Sequence, residues 1–254
     1  MKIASWNVNS LNVRLPQVLQ WLASVQPDVL ALQETKLSDE KFPVSEIEAA
    51  GYHVAYSGQK TYNGVALLAK KPISDVITDV PGLVDPQRRI LGATIDGVRV
   101  LNLYVVNGQE VGSEKFNYKL DWLQRVRDFV AQDMQQHGAY LILGDFNIAP
   151  QDDDVYNPEA WRERILCSTP EREALQQILD LGFRDTFRLF EQEPGLFSWW
   201  DYRMNAFPRN RGLRIDLILA SETMAARCRS SVIDQQPRGW ERPSDHTPVV
   251  AEFV

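Results

Sequence analysis

Cysteine and histidine are scarce in this chain, with two of the former and three of the latter in 254 residues. Cys167 and Cys228 stand far apart and outside any CxxC spacing. This excludes a disulfide framework and a thiolate-bound structural zinc, and makes a reduced cytoplasm the expected setting. No run approaches ~18 consecutive apolar residues, so no transmembrane helix and no membrane partner is expected. Residues 1–11 carry Trp6, Asn7 and Asn9 with no apolar run behind a basic start, which argues against a secretory signal. Repeats, low-complexity tracts and flexible linkers are also missing. The basic balance usual in nucleic-acid binders is absent as well, since the net charge is −7.

What is present is an ordinary globular makeup, 44% hydrophobic and 24% charged, able to bury a substantial core. The length makes one large α/β domain over residues 1–254 the default. Charge is unevenly spread. Between Arg203 and Arg242 there are eight arginines against four acids, a local excess of four positive charges. Either a solvated surface or an anion-binding face explains such an excess. Short apolar runs recur at 3–6, 29–32, 65–69, 100–106, 140–143, 215–220 and 249–253, bounded by polar or turn residues, and predict buried strands. Residues 11–23, 116–134 and 170–181 have helical periodicity, the last two closed by Gly138 and Gly182. Asp96-Gly97 marks a hairpin. Together these predict two mixed β-sheets packed face to face with helices on the outside. Residues 194–212 have no regular period and hold three aromatics close together. A loop of that length in a compact domain is often functional.

The chemistry lies where the runs end. Residues 3–6 run into Asn7, 29–32 into Gln33 and Glu34, and 140–144 into Asp145 and Asn147. Asp245-His246 stands just before the last run, and Asp216 sits inside an apolar one. One acid after a strand is ordinarily a turn residue or a helix cap. Several are different, because strands of one sheet bring equivalent ends to a common edge, where α/β ligand sites lie. Carboxylates gathered so closely repel unless protons or a divalent cation neutralise them. Carboxylate and amide oxygens without a thiolate describe a hard-cation site, so Mg²⁺ or Mn²⁺ is expected. His53 and His137 fall at element edges, whereas His246 follows an acid and has Asp216 as a plausible partner, one that would orient the ring and favour its cationic form.

The ordered segments Trp6-Asn7-Val8-Asn9, Leu32-Gln33-Glu34-Thr35-Lys36, Tyr62-Asn63-Gly64-Val65-Ala66, Leu143-Gly144-Asp145-Phe146-Asn147, Gly212-Leu213-Arg214-Ile215-Asp216 and Pro243-Ser244-Asp245-His246 span nearly the whole chain. Their sequence resembles the exonuclease III family of apurinic/apyrimidinic endonucleases, within the endonuclease/exonuclease/phosphatase superfamily. The resemblance implies a DNase I-like four-layer α/β sandwich. It also implies a monomeric repair enzyme that cuts double-stranded DNA 5′ to abasic sites and processes blocked 3′ ends as exonuclease, phosphatase and phosphodiesterase. A superfamily phosphatase acting on a small phosphorylated molecule is the rival, and a non-catalytic DNA-binding relative ranks last.

The resemblance carries roles to particular residues. Glu34 looks like the principal metal ligand, helped by Asn7 and Asp245, with Asp145, Asn147 and His246 in the same ligand set. Asp145 looks like the residue that positions or deprotonates the attacking water, and Asn147 like its orienting partner. His246, held by Asp216, looks like the donor to a phosphate oxygen, and Tyr104 matches a tyrosine near the scissile phosphate. Which of Asp145 and His246 is the base, and whether one ion or two is used, stays open. Trp199, Leu213 and Ile215 are implied around a flipped sugar, Arg203 and Trp240 on loops against the DNA, and Lys36 and Tyr62 at phosphates. After Tyr104 the chain reads Val105-Val106-Asn107-Gly108, with Val106 where one branch of the family has proline. The resemblance to that branch, in which an Asn three residues after the tyrosine contacts phosphate, implies Asn107 as a candidate DNA contact, and the valine leaves its turn freer.

Overall fold

Strands buried on both faces need apolar side chains in both directions, which is why the central ones read as continuous runs rather than alternating ones. The computed structural model describes residues 1–83 and 85–254. Its strands form two mixed six-stranded sheets. The first holds β1 (Lys2–Asn7), β2 (Val29–Gln33), β3 (His53–Ser57), β4 (Val65–Ala69), β11 (Cys228–Ile233) and β12 (Val249–Phe253), in the order β11-β12-β1-β2-β4-β3. The second holds β5 (Ile73–Ile77), β6 (Ile90–Ile95), β7 (Val98–Tyr104), β8 (Tyr140–Asp145), β9 (Phe183–Asp185) and β10 (Asp216–Ser221), in the order β5-β6-β7-β8-β10-β9. Each sheet has one parallel pair at its centre, β1 with β2 and β7 with β8.

Alternation along each strand sorts the core into three slabs. Ile3, Val29, Ala31, Val65 and Leu67 of the first sheet meet Leu91, Ala93, Val100, Leu141 and Leu143 of the second. Leu30, Leu32, Ala66 and Leu68 face the other way, against Val18, Trp21 and Leu22 of α1 (Leu11–Val25) and Ile47 of α2 (Val44–Ala49). Tyr140, Ile142, Leu101 and Leu103 pack under Trp122, Leu123, Val126 and Val130 of α3 (Glu114–Asp133). Beyond the short α4 (Pro158–Trp161), α5 (Thr169–Leu179) adds Leu175 and Ile178 to that slab, and α6 (Glu222–Ala225) is a single turn. This is the expected helix–sheet–sheet–helix sandwich. Each buried Leu, Ile or Val in it contributes roughly 1.5–3 kcal/mol.

A polar bridge interrupts the central slab. Asn102 of β7 donates to the carbonyls of Leu32 (3.0 Å) and Ala66 (2.9 Å) and accepts from Gln33 Nε2 (2.8 Å), so the two sheets are pinned close to the end of β2. Differences from the sequence reading fall at edges. β3, β5, β9 and β11, which the apolar runs did not predict, are the four edge strands, and their exposed positions dilute the apolar signal. Only the Asp96-Gly97 hairpin hinted at β6. β7 stops at Tyr104 rather than continuing to 106, and Asp216 opens β10 rather than lying inside it.

Candidate active site

Register brings the polar strand ends together. Tyr104 lies beside Asp145 across the parallel β7–β8 pair, and Asp145 lies beside Asp216 across the antiparallel β8–β10 pair. Cross-strand neighbours point to the same face, so these three side chains share one corner of the second sheet. Asn7 and Gln33 end the paired strands β1 and β2 of the first sheet, and Glu34 follows at φ 51°. Two glycines permit the approach. A Cβ on Gly144 would fall 1.9 Å from the Leu103 carbonyl of the neighbouring strand, and one on Gly64 would fall 2.1 Å from Thr35 Oγ1. Both positions have positive φ, 141° and 93°.

At the junction, Glu34, Asp145 and His246 each offer a ligand atom within 4.8 Å of the others. Asn7 Nδ2 donates to both carboxylates, at 2.9 Å to Glu34 Oε1 and 2.8 Å to Asp145 Oδ2. Lys36 Nζ closes the outer side of Glu34 at 3.0 Å and also reaches Asn9. His246 Nδ1 is 2.9 Å from Asp216 Oδ2, and its Nε2 is 3.7 Å from Asp145 Oδ2. Burial opposes the imidazolium, but the charges of Asp216 and Asp145 outweigh it and lift the pKa to about 10. Burial pushes the Asp145 carboxyl up to about 7, against the pull of His246. The Tyr104 hydroxyl is driven well above its usual range by burial and by Glu34 and Asp145, so it remains a donor at neutral pH. Arg89 stacks 4.6 Å from the Tyr104 ring centroid.

Four expected ligands stand differently. Asn7 is in the cluster as a donor. Its Oδ1 accepts the Asn9 N–H at 3.0 Å, which a donor could not do, and this fixes the amide with nitrogen toward the acids. Asp245 lies outside the three-residue cluster, its oxygens accepting from Asn9 Nδ2 and Trp199 Nε1, both at 3.0 Å. Asn147 gives its backbone N–H to Asp145 Oδ1 (2.9 Å) and its Nδ2 to the Val105 carbonyl (2.9 Å), while its Oδ1 accepts from Asn107 Nδ2 (3.3 Å). His246 joins the cluster through Nε2 alone, because Asp216 occupies Nδ1.

The residues expected to meet DNA divide. Leu213 and Ile215 are buried with Ala149, Val155, Leu166 and Cys167, and Trp199 leans on that group half-buried. Trp199 also bridges to Leu213 and His246, which ties this apolar wall to the acids. Arg203 and Tyr62 are exposed, and Asn107 sits at the surface end of the Asn147 turn. Trp240 packs half-buried against the α1 side of the first sheet, and Trp200 is wholly buried. The arginine excess is not one patch. Arg214 is consumed by Asp154 and Asp185, and Arg238 is buried over Tyr202 and Phe207, whereas Arg203, Arg209, Arg211 and Arg242 stay exposed.

Sequence reasoning gave no role to two serines that frame the site. Ser198 Oγ accepts the N–H groups of Ile215 and Asp216, both at 3.0 Å, and Ser244 Oγ ties the Asn7 carbonyl (2.7 Å) to the His246 N–H (3.2 Å). A lone serine carries no signal of this kind, since its partners come from elsewhere in the chain.

Two carboxylates and an imidazole thus converge at the ends of strands from both sheets, a grouping that could hold a metal ion. Residues 4–246 match the Endonuclease/Exonuclease/phosphatase family, and the chain belongs to it. Its similarities run to the exonuclease III branch. Exodeoxyribonuclease III of Haemophilus influenzae is 38% identical over 266 residues, covering 100% of both chains. A 3′ phosphatase, NExo, from Neisseria, solved with product DNA hairpin, is 50% identical with a TM-score of 0.98, over 100% of this chain and 99% of that one. An AP endonuclease from Archaeoglobus fulgidus is 38% identical with a TM-score of 0.96, over the same shares.

Proposed function

We propose that this hydrolase of the exonuclease III type is a Mg²⁺-dependent DNA phosphodiesterase, with Mn²⁺ as a substitute, that incises duplex DNA 5′ to abasic sites and processes blocked 3′ ends. The observation that carries the reading is the convergence of Glu34, Asp145 and His246 from both sheets on one point. The donor set supports a hard cation, being oxygen-rich and without a thiolate. Glu34 and Asp145 would hold the ion, which when bound supplies Lewis-acid charge to a phosphoryl oxygen.

The chain's own groups then divide the work. Asp145 orients the attacking water and accepts its proton, and Asn147 fixes that carboxylate through its N–H. His246, cationic and held by Asp216, donates Nε2–H to the phosphoryl oxygen as charge builds there. Tyr104 and Asn7 supply further donors. Trp199, backed by the buried Leu213 and Ile215, is the wall against which a base-less sugar would pack. Lys36, Tyr62, Asn107, Arg203 and Trp240 serve as DNA contacts, with Asp245 positioning Trp199. We read residues 1–254 as one such domain, acting as a cytoplasmic monomer. No helix among the described residues is long and apolar enough to cross a membrane.

The test is a metal-dependent incision assay on duplex DNA with a single abasic site, run beside recessed ends, 3′-phosphate ends and a small soluble phosphoester. Incision 5′ to the lesion supports the reading. Release of phosphate from the small ester alone would establish the phosphatase alternative, which the net charge of −7 favours.

A further inference from the structure

Lys119 lies on the inner face of α3 between Phe116 and Trp122, where an apolar side chain is the rule. It is completely buried, and so is its partner Glu171 on α5. An ammonium has three donors, and all three are used here. They go to the carbonyl of Asn107 at 3.1 Å, to the carbonyl of Asn147 at 2.7 Å, and to Glu171 Oε1. Glu171 in turn accepts from the N–H groups of Leu166 and Ser168, each at 3.1 Å, and from Ser168 Oγ at 2.6 Å. One ion pair thus grips three segments that meet at the site: the turn after β7 with Asn107, the turn after β8 with Asn147, and the 166–168 turn. That last turn contributes Leu166 and Cys167 to the wall beside Trp199.

Stability gives little reason to keep such a pair. Desolvating two charges offsets most of their attraction, and an apolar pair of similar volume is often as stable. What the pair supplies is direction. Neither the Asn107 nor the Asn147 carbonyl belongs to a strand, and Asn147 sits at φ 49° with its N–H on Asp145 Oδ1. A carbonyl released at this turn would let that N–H, and with it the Asp145 carboxylate, rotate.

We propose that Lys119 and Glu171 are positioning residues of the active site, a buried node that sets the Asn147 turn, Asn107 and the pocket wall relative to one another. The inference rests on the reading that Asp145 and Asn147 serve phosphodiester hydrolysis.

The experiment uses the full chain with the double substitution K119M/E171Q. Glutamine keeps one acceptor oxygen, which can stay on the Ser168 N–H and Oγ at the place of Oε2 while the bond from the Leu166 N–H to Oε1 is given up, and methionine fills the space without a donor, so the capping contact at Ser168 survives while the grip is lost. Expected are wild-type-like cooperative unfolding, KM for abasic duplex within about threefold, and kcat lowered roughly 10- to 100-fold, as a displacement near 1 Å produces. The backbone amide resonances of Asn107 and Asn147 shift, and those of β1 do not. A folded variant with kcat within about threefold of wild type, or a kcat loss matched by the loss of folded protein, overturns the proposal. If K119M/E171Q does not fold, K119Q/E171Q takes its place. Glutamine is one bond shorter than lysine and cannot hold both carbonyls, so the same split is expected and full kcat overturns it. If wild type incises no DNA, the functional reading fails, and the amide resonances still decide whether the node holds the turn.

Discussion

Replacing Asp216 by asparagine separates the orientation of His246 from its charge. The amide oxygen can still accept the Nδ1–H, so the ring stays in place, but the negative charge 2.9 Å away is gone. A charge-assisted hydrogen bond contributes about 1.5–3 kcal/mol. One pKa unit corresponds to about 1.36 kcal/mol, so the pKa should fall by about one to two units. From about 10 in the wild type, this places the imidazolium within reach of neutral pH. The direction follows from which form the neighbour favours: Asp216 supports the cation, so its loss lets the proton leave at lower pH. Titration of the His246 ring carbons by NMR, in metal-free protein, measures the shift directly. The rate should follow. Below the new pKa, Asp216→Asn keeps much of its activity, and above it kcat on abasic duplex falls about tenfold per pH unit, while the wild type holds level to higher pH. A wild-type His246 that titrates near the free-imidazole value of about 6.5 would refute the argument, and so would an Asp216→Asn enzyme with an unchanged pH profile.

Other outcomes test the remaining parts of the site. Asp145→Ala should abolish turnover while duplex affinity, measured by fluorescence anisotropy, stays nearly intact; equal loss of both would indicate a folding defect. Glu34→Gln should weaken Mn²⁺ binding, read by electron paramagnetic resonance, and lower kcat on the order of 100-fold or more, since it removes a charge that pairs with the ion and not with the DNA. Exhaustive chelation should stop incision and added Mg²⁺ should restore it; undiminished hydrolysis after chelation contradicts the metal assignment. Arg214→Met takes the cation from Asp185 and leaves Asp154 with Arg188 alone, and urea unfolding should register about 3 kcal/mol of lost stability, the lower end for breaking a buried pair. Arg203→Ala, at an exposed position, should change stability by less than about 0.5 kcal/mol and act only on DNA binding.

The sandwich and the outline of its site were legible because they depend on local pattern. Central strands must be apolar on both faces, helices must carry one apolar stripe, and the acids that end the strands stand beside those runs in the chain. Thus β1, β2, β4, β8 and β12 were readable, with Asn7, Glu34, Asp145 and His246 at or near their ends. Edge strands such as β3 and β5, half exposed, left too weak a pattern. What the tertiary structure alone decided is how those ends face one another. The resemblance implied Asn7, Asp245 and Asn147 as ligands; only the tertiary structure shows that Asn7 donates to Glu34 and Asp145, that Asp245 accepts from Trp199, and that Asn147 donates to the Val105 carbonyl. Lys119, an anomaly on the buried stripe of α3, acquires meaning only from Glu171, 52 residues further along the chain. A sequence records which groups are available within a few residues of each other. The orientation of a buried polar group is set by whichever partner satisfies it, and here those partners arrive from the opposite sheet or a distant helix.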